Sequence, residues 1–162
     1  MRFVTCFAVL GLSLVMGACF LNGTLNIDIG NYEAQLAAWN NQNMRDYLLY
    51  VSIFDFTGMP TDALVTVKDG TPVSSDPPSW LEEGRRSTIP EYYSLIKSEE
   101  KEIITKHKKT TTDSYTLTVK YNTEYRYPKY IYSEVSHKPL IPGNWSGTRW
   151  EITLTPLPGG GE

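Results

Sequence analysis

Cysteine is nearly absent from this 162-residue chain: Cys6 and Cys19 are the only two, so nothing beyond position 19 can form a disulfide or act as a thiol. Histidine is equally scarce. His107 and His137 show no His-x-x-x-His spacing, and the sequence offers no metal-ligand motif. Positive charge is not in excess either: 15 Lys and Arg against 18 Asp and Glu give a net charge of -3, which argues against the clustered basic surface of a general nucleic-acid binder. No Gly-x-Ser-x-Gly, P-loop or dinucleotide fingerprint occurs, and the glycines at 159–161 have no helix after them. The acidic pairs Glu82-Glu83 and Glu99-Glu100 are sequence neighbours whose side chains diverge on a helix or strand, a poor start for acid–base chemistry. The expectation is a non-enzymatic chain with no catalytic residues, no cofactor and no metal.

Long apolar runs are confined to the start. After Met1-Arg2 the chain is apolar over residues 3–16 with few interruptions, the pattern of a signal peptide. The run falls short of the roughly 20 residues a membrane-spanning helix needs. It continues into Leu14-Val15-Met16-Gly17-Ala18-Cys19, which resembles the lipobox of bacterial lipoproteins. That resemblance implies that the leader, residues 1–18, is cut off and that the Cys19 thiol receives a diacylglycerol, often with a further acyl group on its amine. One acyl chain binds a bilayer marginally, whereas two or three hold firmly. The expected address is the cell membrane or outer membrane, with the domain outside the cytoplasm and membrane contact made through lipid on Cys19. Residues 19–30 read as the lipidated cysteine and a flexible tether, because Asn22, Gly23, Asn26 and Gly30 break any sustained period.

Aromatic residues are abundant, with 11 Tyr and 4 Trp, and β-branched residues crowd the second half, a composition that favours sheet. Asn31 is placed to cap a helix with Tyr32, Leu36 and Trp39 on one stripe. Residues 47–56 alternate as a strand, with Tyr47, Leu49, Val51 and Ile53 on one face and Leu48, Tyr50, Ser52 and Phe54 on the other. Ala63, Val65 and Val67 form a second strand, Asp69-Gly70 suits a type I′ hairpin, and a short return strand spans 71–75. Residues 76–87 read as a surface loop. Thr88-Ile89-Pro90-Glu91 is a capping box that opens a helix ending near Lys106. The basic run Lys106-His107-Lys108-Lys109 suits a solvated helix C-terminus, with contact to anionic head groups as the alternative. Strands follow around 115–121 and 130–132, and a last one carries Trp150, Ile152 and Leu154. The fold class expected is α+β, an antiparallel sheet of about five to six strands with two helices packed on one face. Residues 31–156 form the single domain and 157–162 a disordered tail.

Several landmarks occur in a familiar order: Trp39, Asp46-Tyr47, the stretch from Val65 through Lys68 to Asp69-Gly70, Thr88 through Glu91, and Tyr125-Arg126-Tyr127-Pro128. Together they resemble a family of small bacterial lipoproteins of unknown function marked by a Tyr-Gly-Tyr-Pro motif. Arg126 stands where that family usually has Gly, which puts an unusual backbone geometry at the turn in question. Members also often carry two cysteines in the first strand, and residues 47–56 have none, so no redox role is inherited.

The resemblance implies a fold and an address rather than an activity. Candidate partner-binding residues are the loop aromatics Trp80, Tyr125, Tyr127 and Trp145, since Tyr and Trp dominate interface energies. Against this, the same side chains can close the ends of the sheet core, the favoured assignment for Tyr125 and Tyr127. The reading is a non-enzymatic, membrane-anchored envelope domain that binds another envelope protein or an envelope component, through its aromatic loops or an exposed strand edge. Alternatives are an envelope hydrolase whose site assembles only in three dimensions around His137, and a purely structural lipoprotein.

Overall fold

A computed structural model describes residues 23–55, 59–110, 112–137 and 145–158. The leader and Cys19, and with them the lipid-attachment reading, lie outside the described residues, as do 159–162 of the expected tail.

The chain enters through strand β1 (Leu25–Asp28) and helix α1 (Tyr32–Asn41), where the Asn31 side-chain oxygen accepts from the Ala34 amide. Tyr32 and Trp39 are buried and Leu36 packs against the core, the stripe expected from their spacing. Strands β2 (Tyr47–Asp55), β3 (Thr61–Lys68) and β4 (Thr71–Asp76) follow as a meander. Asp69 and Gly70 both take positive φ, 50° and 73°, as a type I′ turn requires. A one-turn helix α2 (Ser79–Glu82) precedes α3 (Ile89–Lys109), whose first turn is closed by Glu91: its carboxylate accepts from the Ser87 and Thr88 amides at 2.6 and 2.9 Å. Strands β5 (Ser114–Tyr121), β6 (Pro128–Ser136) and β7 (Trp145–Pro156) complete the chain.

The seven strands form one sheet in the order β1-β5-β6-β7-β2-β3-β4. Every pairing is antiparallel except β1 with β5, which is parallel. The last strand therefore lies in the middle and joins two three-stranded halves. One face carries Leu49, Val51, Val65, Val67, Leu117, Ile131 and Ile152, all buried with Ile89, Tyr92, Tyr93, Ile96 and Ile103 of α3 in a single core cluster.

The fold class is α+β as expected, but among the described residues the sheet is larger and mixed, with seven strands rather than five to six antiparallel ones, and there are three helices rather than two. The extra strand is β1, within the stretch expected to be tether. It is four residues long at a sheet edge, so its pairing comes from the β5 ladder and not from any alternation of its own. The extra helix is α2, within the stretch expected to be loop, where residues 77 and 78 are prolines and Trp80 drops into the core.

Candidate functional site

The four aromatic candidates are not brought together. Trp80 sits in α2 at 1 % exposure, with its indole N–H donating to the Arg86 carbonyl at 3.1 Å and the Arg85 guanidinium 5.2 Å above the ring. It is a core residue rather than a loop contact, because the short helix turns the ring inward. Tyr127 is buried as well, and its hydroxyl accepts from the Leu154 amide at 3.2 Å. Tyr125 is half-buried against the core. Trp145 is different: it opens β7, 44 % exposed, opposite Ser136 at the far end of β6 from the 122–128 turn.

That turn is a latch. The Asn122 side-chain oxygen accepts from the Glu124 and Tyr125 amides at 2.9 and 2.8 Å, and its backbone amide donates to the Tyr127 carbonyl at 2.8 Å. Arg126 takes φ 61°, the left-handed region, so the backbone does there what a glycine would do. The Arg126 carbonyl is then turned to accept from the Tyr93 hydroxyl at 2.5 Å, which ties the hairpin to α3. Tyr93 stacks on Tyr121 and meets Tyr32 edge-on, and burial raises the phenol pKa of Tyr93 and Tyr121 well above the usual value. The buried Tyr127 ring and the Arg126 carbonyl thus tie this turn to β7 and α3.

The outer face of the sheet is the broadest candidate surface. Strand register places Tyr50, Ser52 and Phe54 of β2 beside Thr153, Glu151 and Arg149 of β7, and these beside Tyr130 and Tyr132 of β6. Among the described residues no helix packs over it: Tyr50 and Leu64 are each 43 % exposed. Arg149 lies 3.9 Å above the Phe54 ring, Lys120 lies 5.5 Å above Tyr130, and Tyr130 stacks on Tyr132. Tyr132 donates to Glu134, and burial together with that carboxylate pushes its pKa up to about 12. The face thus sets phenols and cations among carboxylates, with Arg149 also 3.3 Å from Glu151 and Asp62 accepting from Ser52. Its signal in the sequence is the period-two alternation of β2 together with Tyr130 and Tyr132.

One shallow hollow of about 350 Å³ lies on this outer face beside Lys120, Tyr130, Glu151 and Thr153, and two further concave sites lie on the helix side. A cleft of about 550 Å³ beside the start of α3 is lined by Ile53, Arg85, Arg86, Glu91, Tyr92 and Trp150, but Glu91 is occupied with capping and Arg85 is paired with Glu83 at 2.6 Å. A second, about 340 Å³, holds Glu99, whose carboxylate accepts from the Ser133 hydroxyl at 2.7 Å. His137 does meet a carboxylate, its Nδ1 lying 2.9 Å from Asp113, yet the pair lines neither cleft. Among the described residues no group of three or more His, Cys, Asp or Glu could hold a metal ion, and no helix is long and apolar enough to cross a membrane.

Set against known families, residues 31–138 match a family of unknown function, DUF6174. The chain belongs to DUF6174. No curated protein and no solved structure matches it. The DUF6174 match runs from the cap of α1 to the end of β6, so it contains the Tyr93–Arg126 latch and five whole strands, β2 to β6, while β1 lies before its start and β7 beyond its end.

Proposed function

We propose that this DUF6174 chain is a bacterial envelope lipoprotein, held to the cell membrane or outer membrane by lipid on Cys19, whose domain binds another envelope protein rather than catalysing a reaction. The observation that carries the binding role is the outer sheet face, where Tyr50, Phe54, Leu64, Tyr130 and Tyr132 present aromatic and apolar area with Lys120 and Arg149 fixed among them. Large rigid aromatics lose little conformational entropy on contact, and fixed cations add orientation. The address rests on the leader and on Leu14 through Cys19. A lipid tether confines such a domain to two dimensions and raises its effective concentration near other envelope proteins.

Affinity capture from native membranes tests both parts. Mass spectrometry of the intact protein is expected to show fatty acid at Cys19, and Cys19→Ser is expected to abolish it. A Tyr50→Ala, Tyr130→Ala double variant is expected to keep its melting temperature within a few degrees and to lose co-purifying protein; unchanged capture would discard the face as the binding surface.

A further inference from the structure

The point where the chain leaves its anchor is fixed in the fold. The Thr24 amide donates to the Ser114 hydroxyl at 3.0 Å, and the Tyr115 amide donates to the Thr24 carbonyl at 2.8 Å. Gly23 passes so close to the Asp113 carbonyl that a side chain there would overlap it. Fully extended, the links from Cys19 to Gly23 cover at most about 14 Å. Lipid on Cys19 would therefore hold the Thr24–Ser114 end of the domain within that distance of the bilayer surface. Ser114 pairs with Ser136 and Ser136 with Trp145, so the exposed indole of Trp145 stands in the same row, about 14 Å along the sheet from Thr24 at strand spacing. The C-terminus of α3 arrives at the same place, because Lys109 precedes Asp113 by one turn of chain, with the Asp113 amide bonded to the Thr110 carbonyl.

This end is chemically distinct. Lys106, Lys108 and Lys109 are all exposed; Lys106 is paired with Glu102 at 2.5 Å, whereas Lys108 and Lys109 have no ion pair among the described residues. Of the carboxylates at this end, Glu102 is paired with Lys106 and Asp113 faces His137. Unpaired lysines at the end of α3 on one side of the sheet, and an exposed tryptophan at the same end on its outer face, together match an anionic bilayer surface, where cations meet phosphates and an indole sits at head-group depth.

We propose that this end of the domain docks on anionic phospholipid, with Lys108, Lys109 and Trp145 touching the head groups. The inference rests on the proposed lipidation of Cys19. Its consequence is orientation: α3 stands up from the membrane, and its first turn, with the Arg85–Arg86 cleft, lies roughly 30 Å farther out by helix rise.

The test uses acylated full-length protein, extracted from membranes and reconstituted in vesicles of phosphatidylcholine with or without phosphatidylglycerol. A fluorophore is attached to Thr110→Cys in one sample and to Pro90→Cys in another, at the two ends of α3, and quenched by head-group spin-labelled lipid. Quenching at 110 is expected to exceed quenching at 90 by a small margin, set by the tether, in phosphatidylcholine alone and by a large one with phosphatidylglycerol. Each lysine lost should lower the docked-to-undocked ratio about five-fold, so Lys108→Glu with Lys109→Glu should bring the difference down to its phosphatidylcholine value, as should ionic strength of about 1 M, where the screening length falls to about 3 Å. Equal quenching of the two labels, or quenching at 110 that ignores salt and charge reversal in acylated protein, overturns docking and leaves anchoring intact. Absence of fatty acid by mass spectrometry overturns the anchor itself, and the docking with it.

Discussion

At Arg126 a bulky side chain occupies φ 61°, a conformation that costs an L-residue about 1–2 kcal/mol. The side chain is exposed and takes no part in the latch, which uses the backbone of 126 and the phenol of Tyr93. Arg126→Gly removes the conformational cost but widens the unfolded ensemble, a loss of about 0.4–1 kcal/mol. The net expectation is stabilisation of about 0.5–1 kcal/mol, read as a higher urea midpoint at unchanged slope. The buried phenols give a second expectation. Burial holds the pKa of Tyr92 and Tyr93 above the ordinary tyrosine value, so the folded state keeps protons that the unfolded chain releases. Stability from this source is fully present below about pH 10 and falls above it, by about 1.4 kcal/mol per pH unit for each such tyrosine. Urea midpoints should be flat from about pH 7 to 9 and drop beyond 10, and Tyr93→Phe should make that drop shallower.

Strand β7 shows what an element's position is worth. Ile152 is buried and pairs with Val51 of β2, whereas Val73 stands 55 % exposed at the irregularity in edge strand β4. Ile152→Ala is expected to cost about 2–4 kcal/mol and Val73→Ala close to nothing, both measured by urea denaturation. Local patterns made much of the fold legible in the sequence. Period-two alternation marked both faces of β2, Asp69-Gly70 the turn between β3 and β4, and Thr88 with Glu91 the start of α3. What had no local pattern stayed hidden. β1 has four residues and borrows its ladder, α2 is a single turn behind two prolines, and the central place of β7 follows from pairings with distant strands that leave no mark in its own residues. The same limit applies to the site. Trp80 in a proline-rich stretch carries the composition of an exposed loop, and only the one-turn helix reveals that its ring faces inward. The outer face, by contrast, was written in Leu48, Tyr50, Ser52 and Phe54, although alternation alone does not say which side of a strand remains uncovered.

For the molecule as a whole, the decisive pairing joins residues about a hundred positions apart, Tyr47 with Pro156 through Asp55 with Thr148. Without β7 the sheet separates into β1-β5-β6 and β2-β3-β4, and each half would expose the flank that β7 hydrogen-bonds. Ile152, Leu154 and Trp150 would leave the core together, and Tyr127 would lose the Leu154 amide that its hydroxyl accepts. The region matched by DUF6174 ends at residue 138, ahead of this strand, so in this chain the matched region is not a complete folding unit. A chain ending after His137 is therefore expected to show no cooperative urea transition and weak near-ultraviolet dichroism, while the full chain shows one sharp transition. The same long-range closure predicts slow folding for the intact protein, in the range of milliseconds to seconds, because β2 must wait for the last strand before its second edge is satisfied. A truncated chain that still unfolded cooperatively would mean that the two half-sheets can pair directly, with β7 inserted afterwards rather than joining them.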